Sequence, residues 1–425
     1  MNNEKVSRFI RNILSEKNDN YTFFPFTNQD LYIPDKIGLY IHIPFCKSMC
    51  PYCPYYKVFY DKKLADKFSS ALIKEIDGYN EETGKMDITS IYIGGGTPTL
   101  LIYDLKSIIN KIRASYNVAQ ETAIETTPSD VSEDKVKILK EVGVNYISLG
   151  VQSFQQKYLS LIGRNYDANR ALSAVRMIKK YQFDTFNIDL IFAFPLEDLS
   201  ELVKDLQTAV SFSPDQITCY PLFTFPYSTI GKYRKIKKLK MPSYRKRKKM
   251  YYLIHDFFEE KGYWRSSVWS FNREKTKPYS SVTRDYYIGF GPSAGSYTGK
   301  GFYFNTFSVS EYIKTVSQRK PIALEMRVSN RMEKLFWLYW RLYETVIPKK
   351  GYKKMFGKDI HSDFGKILSI IKTLGFIQSE DDETITLNKR GCLWLHLAQN
   401  YAALNYVSRI WSVAQKATWP EKITL

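Results

Sequence analysis

Long hydrophobic runs are missing from this chain. No apolar stretch approaches the ~18–20 residues that a membrane span requires. The first twenty residues, MNNEKVSRFIRNILSEKNDN, are charged throughout and hold neither an apolar core nor a small-residue cleavage site, so they do not read as a secretory signal. Val6, Ile10 and Leu14 at four-residue spacing predict a short amphipathic helix there instead. Cysteine is sparse: five in all, an odd number with three clustered, which excludes a disulfide framework and points to a reducing cytoplasm. Histidine is sparser still, with four residues, of which only His42 lies near that cluster. Acid is short as well. Against 62 Lys and Arg stand 43 Asp and Glu, a net charge of +19.

The basic excess is uneven. Residues 232–249, KYRKIKKLKMPSYRKRKK, carry eleven Lys or Arg and no acid. Such a field attracts polyanions, whether nucleic acid, anionic lipid or a polycarboxylate ligand, although a solvated basic helix face has the same composition. An apolar content of 44% is that of an ordinary globular chain, and 425 residues suffice for two domains or one enlarged one.

From about residue 37, short β-branched runs alternate with helical stretches. The expected strands are 38–43, 88–93, 122–126, 144–150, 185–191 and 216–222, with helices near 63–78, 103–115, 132–142, 154–162, 168–181 and 199–210. This alternation predicts parallel βαβ units with functional groups at the strand C-termini. Past residue 225 the rhythm changes: a helix at about 244–261, strand-like pieces around 264–271 and 287–304, then a mostly helical end from 309. There RMEKLFWLYWRLYET reads as an amphipathic aromatic helix, and ETITLNKRGCLWLHLAQN as a small strand entering a helix. The expected domains are an N-terminal helical segment (1–36), an α/β unit (37–308) and a smaller helical, winged-helix-like unit (309–425).

Cys46, Cys50 and Cys53, in HIPFCKSMCPYCPYY, directly follow the first strand. Thiolates suit iron and zinc. A structural zinc site wants four ligands, commonly two C-x2-C pairs, and one pair is present. Three thiolates without a fourth fit an iron–sulfur cluster with one iron open to a reactant, since a [4Fe–4S] cluster is usually held by four cysteines. Gly94–Gly95–Gly96, in IYIGGGTPTLL after the second strand, permit close approach of backbone to a ligand. Glu125 ends the third strand, Gln152 follows the fourth, Arg164 lies in LIGRN, and Asp189 sits near the end of the fifth. Carboxylates buried on apolar strands need hydrogen-bonding partners, which ribose hydroxyls would supply.

These motifs resemble the radical S-adenosylmethionine (SAM) superfamily. The runs YIHIPFC, GGGTP, ISLGVQSF, NIDLIFAFP and YIGFGPSAGSY resemble its family of oxygen-independent coproporphyrinogen III oxidases, with the haem chaperones and class C methyltransferases related to it. The resemblance implies a partial (β/α)6 barrel with extra sheet strands. It implies a [4Fe–4S] cluster on Cys46, Cys50 and Cys53, and reductive cleavage of SAM to a 5′-deoxyadenosyl radical. Tyr40, Tyr52, Glu125, Gln152, Arg164 and Asp189 match residues that hold the first SAM, and Gly95 lies in the segment that receives its methionine end. Gly96, Thr97 and Ile191 match positions near a second SAM. The decarboxylating oxidase has a further cysteine two residues after the triad; Pro54 and Tyr55 stand here, which puts that activity in doubt. Residues 278–306 look more like the class C methyltransferases, including anaerobic haem-degrading enzymes, and make Tyr279, Arg284 and Tyr286 candidate pocket residues, the first two in catalytic roles. The expectation is therefore methyl transfer to an sp² carbon of a flat substrate such as a tetrapyrrole, with oxidative decarboxylation and haem chaperoning as alternatives. Expected partners are that small molecule and an electron donor such as flavodoxin or ferredoxin, with no nucleic acid.

Overall fold

The computed structural model describes residues 21–27, 31–225, 228–235, 239–274, 276–279, 285–414 and 416–425. Six parallel strands form its centre: β1 (Lys36–Ile43), β2 (Asp87–Gly95), β3 (Thr122–Thr126), β4 (Tyr146–Gln152), β5 (Thr185–Phe192) and β6 (Gln216–Pro221). They pair in sequence order, and a seventh strand, β7 (Tyr287–Phe290), joins in parallel on the far side of β1. The crossover helices are α1 (Lys62–Thr83), α2 (Ile102–Ser115), α3 (Glu133–Glu141), the pair α4 (Gln156–Leu161) and α5 (Ala168–Lys180), and α6 (Leu199–Ser211). After β6 comes α7 (Tyr244–Glu260).

Local chemistry sets these boundaries. Asp61, Ser132, Asp167 and Asp198 cap α1, α3, α5 and α6 by accepting from backbone N–H groups of the first turn, and Glu201 completes a capping box with Asp198. Strand alternation then separates two faces. Leu39, Ile41, Ile147, Leu149, Ile188, Leu190 and Ile217 point outward into the main core under the helices. Ser148, Asn187, Asp189, Thr218 and Tyr220, on the opposite parity, face inward onto one cavity or its hydrogen-bond layer. A sheet face that is polar yet buried has to serve a ligand or an internal network.

Antiparallel strands extend the sheet both ways. Ser270–Arg273 and Tyr263–Arg265 follow β6; Gly295–Tyr297, Gly301–Asn305, Ile322–Arg327, Thr22–Pro25 and Ile423–Thr424 follow β7. Two expectations change here. The helix expected at Val6–Leu14 lies outside the described residues, but the described part of the supposed helical segment 1–36 forms the strand Thr22–Pro25, with Phe23 fully buried. The stretch after 309 also contributes sheet. In IALEMR, Leu324 and Met326 alternate with Glu325 and Arg327, a period of two that seats the strand between two neighbours. The divide at 308/309 thus falls inside one continuous sheet.

Beyond it, helix Asn330–Glu344, strand Val346–Pro348, helices Lys349–Phe356 and Ile360–Thr373, and the hairpin Ile377–Glu380/Thr384–Leu387 follow in the order of a winged helix. Its own core holds Trp337, Ile347, Tyr352, Phe364 and Ile385. No described helix is long and apolar enough to cross a membrane.

One buried carboxylate ties the layers together. Glu75 on α1 is 2% exposed and accepts from Gly291 N at 2.8 Å, Asn305 Nδ2 at 2.9 Å and Tyr312 Oη at 2.6 Å. Burial pushes its pKa up to about 7, against the pull of those donors. The unfolded chain therefore ionises Glu75 first as pH rises, and native stability falls between the unfolded value and about 7. Glu75→Ala strands three donors and is expected to cost roughly 2–4 kcal/mol in urea denaturation.

Candidate active site

At the C-terminal ends of the six strands lies a cavity of about 800 Å³. Cys46, Cys50 and Cys53 line it together with Tyr52, Gly95, Gly96, Thr97, Glu125, Gln152, Arg164, Asp189 and Tyr279. All three thiols are free.

The cysteine loop sits hard against the glycine turn. Gly96 N donates to Ile43 O and Thr97 N to Phe45 O, each at 2.8 Å, and Thr97 Oγ1 reaches Cys46 Sγ at 3.9 Å. A Cβ on Gly96 would fall 2.4 Å from Phe45 O and 3.0 Å from Cys46 Sγ. Gly95 has φ +115°, and a Cβ there would meet Ile43 O at 2.7 Å. Burial pushes the Cys46 thiol up to about 11, with Thr97 opposing; a bound metal cation is what would deprotonate it.

Glu125 is the centre of a second cluster. It accepts from Tyr92 Oη in a short hydrogen bond and from Gly95 N at 3.2 Å, while Tyr279 Oη donates to Tyr92 Oη at 2.6 Å. Burial raises its pKa to about 7, and Asp189 adds to the rise. Asp189 is lifted to about 6 by burial, against donation from Asn187 Nδ2 at 2.8 Å and Ser148 Oγ at 2.9 Å. Tyr279 is pinned through its backbone: its N–H donates to Gln216 Oε1 at 2.7 Å and its carbonyl accepts from Gln216 Nε2 at 3.0 Å.

Gln152, at φ +69°, holds a conformation that non-glycine residues adopt at a cost of ~1–3 kcal/mol, and Tyr220 Oη donates to its Oε1 at 2.9 Å. Arg164 donates to Tyr52 Oη in a short hydrogen bond, yet its Nε is buried and has no partner. A guanidinium held with one donor unspent in a cavity is poised for a carboxylate.

Three expected residues stand apart. Ile191 follows Asp189 on the inward face but is 1% exposed and packs in one apolar cluster with Tyr52, Phe194 and Leu222, so it forms no cavity wall. Tyr40 lies one layer behind Tyr92, its ring 6.0 Å away and its hydroxyl 2.7 Å from His42 Nδ1. Tyr286 bonds Glu333 on the helix Asn330–Glu344 instead of facing the cavity. Arg284 lies outside the described residues.

The sequence reading missed the opposite wall. Trp264 and Trp269 come from the hairpin after α7, and Tyr339, Trp340, Tyr343 and Glu344 from one face of Asn330–Glu344. His396 and Asn400, one turn apart on Lys389–Ala414, complete it. The signal was present in LYWRLYE, whose aromatics exceed what one amphipathic stripe needs. Tyr92 and Tyr220 were legible too, as polar rings on the inward parity of buried strands.

Residues 40–209 match the Radical SAM superfamily. The heme chaperone HemW of Bacillus subtilis is 28% identical over 80% of this chain and 93% of its own length. The solved coproporphyrinogen III oxidase (HemN) of Escherichia coli, a radical SAM enzyme, superposes with a TM-score of 0.73 over 87% of this chain and 89% of that one, at 21% identity. The chain thus carries a Radical SAM superfamily match and is similar in sequence and fold to the HemN-like radical SAM proteins. Anaerobilin synthase of Escherichia coli O157:H7, at 26% identity over 70% of this chain and 69% of the other, is a further relative. The family's cofactors are a [4Fe–4S] cluster and SAM. The site's chemistry fits them: soft donors in a set of three, a glycine cradle that any Cβ would fill, and an unspent guanidinium donor.

Two outcomes follow for this radical SAM site. Gly96→Ala is expected to abolish the iron–sulfur absorbance of anaerobically reconstituted protein, as Cys46→Ala would. SAM affinity by equilibrium dialysis is expected to weaken as pH falls from ~8 to ~6, because Glu125 and then Asp189 take up protons and lose acceptor capacity. Glu125→Gln should flatten the upper part of that profile.

Proposed function

We propose that this protein cleaves SAM reductively at a cluster on Cys46, Cys50 and Cys53, and directs the radical at a flat tetrapyrrole, most closely as a class C methyl transfer to an sp² carbon. The observation that carries this reading is the single cavity in which the cysteine loop, two raised-pKa carboxylates and a wall of Trp and Tyr rings face one another. Its volume lies toward the upper end of small-molecule sites, ~300–1,000 Å³, which suits SAM with a second planar molecule, or a second SAM reached through Gly96 and Thr97.

Cluster and SAM together supply a carbon radical by one-electron reduction of a sulfonium. The chain's own residues do the rest. Arg164 presents its free Nε to the methionine carboxylate, and Glu125, Asp189 and Gln152 accept from or donate to nucleoside hydroxyls. Tyr52 covers the base. Trp264, Trp269, Trp340 and Tyr343 offer ring faces to a planar substrate and exclude water that would quench a radical. The line Tyr279–Tyr92–Glu125 is a hydrogen-bonded chain on the cavity wall that can hold a proton. We assign the continuous sheet with its crossover helices to the catalytic unit and the winged-helix part to its cover.

A second reading, haem chaperoning, is favoured by the long match to HemW, which covers more of this chain than the match to anaerobilin synthase. Oxidative decarboxylation is disfavoured by Pro54 and Tyr55. One experiment separates the readings: anaerobic incubation with SAM, reductant and haem or coproporphyrinogen III, followed by mass spectrometry. 5′-Deoxyadenosine with S-adenosylhomocysteine and a substrate heavier by a SAM-derived carbon is the expected result. Haem bound but unaltered would move the assignment to a chaperone, and carbon dioxide loss to a decarboxylase.

A further inference from the structure

The cysteine loop closes on itself. Val58 N donates to Pro44 O at 2.7 Å and Tyr60 N to Cys46 O at 2.9 Å, so the chain leaving the loop runs parallel to the chain entering it, as the pair Phe45–Cys46/Val58–Phe59. Lys57 stands at the foot of that return, and its side chain turns back across the loop. Its Nζ donates to Cys53 O at 3.2 Å and to Tyr55 O at 3.3 Å. Two carbonyls thus hold the ammonium in one place, one of them belonging to the last of the three cysteines.

The surroundings of this cation are unbalanced. Lys57 is half-buried and lines the cavity with Cys46, Cys50 and Cys53. Among the described residues no carboxylate pairs with it. The other lysine of the loop differs: Lys47 Nζ donates to Asp130 Oδ1 at 3.3 Å, and Asp130, 5% exposed, also takes Lys135 at 2.7 Å. Burial raises the Cys46 thiol, whereas Thr97 and the charge of Lys57 pull it back, so the cation's field crosses the loop. A cation drawn partly out of water without a counter-charge is costly unless an anion joins it. Three thiolates holding an iron–sulfur cluster are such an anion.

We propose that Lys57 is a positioning residue for the cluster: its hydrogen bonds fix the Cys53 end of the loop, and its unmatched charge makes the cluster easier to reduce. Reduction by an external one-electron donor adds a negative charge to a group that three thiolates already make negative. Net charge and surroundings are what set the potential of such clusters. A fixed cation favours the more negative state, and does so more strongly in a protein cavity than in water. The two roles are separable, because holding the loop needs donors and shifting the potential needs charge.

The proposal rests on the radical SAM reading, and the test keeps the two apart. Full-length protein is reconstituted anaerobically, iron retention against a chelator is measured, and the midpoint potential is found without SAM by mediated dithionite titration with EPR of the reduced cluster. Lys57→Arg keeps charge and donors and should match wild type in both. Lys57→Gln loses the charge, and its equilibrium constant for reduction should fall about tenfold, a midpoint lower by about 59 mV for one electron. Lys57→Met should show the same fall and also release iron several-fold faster than Lys57→Arg. A Lys57→Gln midpoint equal to wild type would overturn the electrostatic role. So would a Lys57→Arg midpoint lowered as far as that of Lys57→Gln, since charge would then not be the cause. Iron retention in Lys57→Met equal to that in Lys57→Arg would overturn the hold on the loop. Wild-type protein that takes up no cluster would remove the radical SAM reading, and the role of Lys57 with it.

Discussion

Backbone touching backbone at the ends of β1 and β2 is the constraint on which the site depends. Ile43 and Phe45 offer carbonyls that Gly96 and Thr97 fill with their N–H groups, and the chain closes to a distance no side chain tolerates. That contact aims the cysteine loop across the glycine turn. It also delivers Gly95 N to Glu125, so cluster ligands and the principal buried carboxylate share one rigid corner. A parallel sheet makes this possible, because every strand ends on the same side and each following loop starts there.

The corner carries an electrostatic cost. Glu125 and Asp189 lie on the inward face with no cation bonded to either among the described residues, and burial raises both pKa values toward neutrality. Arg164, the cation that lowers Asp189 from nearby, spends one donor on Tyr52 and keeps Nε idle. An arrangement so under-satisfied would be poor design for a structural core. It is reasonable for a cavity whose ligand brings a carboxylate, an ammonium and two hydroxyls, and so completes the hydrogen bonding itself. The aromatic wall, drawn from Trp264, Trp269, Tyr339, Trp340 and Tyr343, closes the other side.

How far the fold was legible follows from the range of each signal. The strand Thr122–Thr126 was read to the residue, and the other five parallel strands within two residues, because β-branched runs bounded by capped helices are local patterns. Thr22–Pro25 and Ile322–Arg327 were not, since strands this short are weak local signals and their mutual pairing joins segments hundreds of residues apart. The same holds for side chains. The motif residues Cys46, Cys50, Cys53, Gly95, Gly96, Thr97, Glu125, Gln152, Arg164 and Asp189 do converge. Ile191 sits on the expected face but under Tyr52, a matter of depth that parity along a strand does not specify.

The amino-acid sequence alone determined which donors are present and in what order: three thiols at fixed spacing, a glycine turn, and polar groups at successive strand ends, because these are set by covalent spacing and the two-residue strand period. Tertiary structure alone decided what faces them. Tyr92 and Tyr279 meet through a hydrogen bond between residues 187 positions apart, and Ile230 packs on the cysteine loop, its N–H donating to Pro51 O. Such meetings depend on how sheet curvature and packed layers bring distant segments to one surface, and no local pattern of residues encodes that distance.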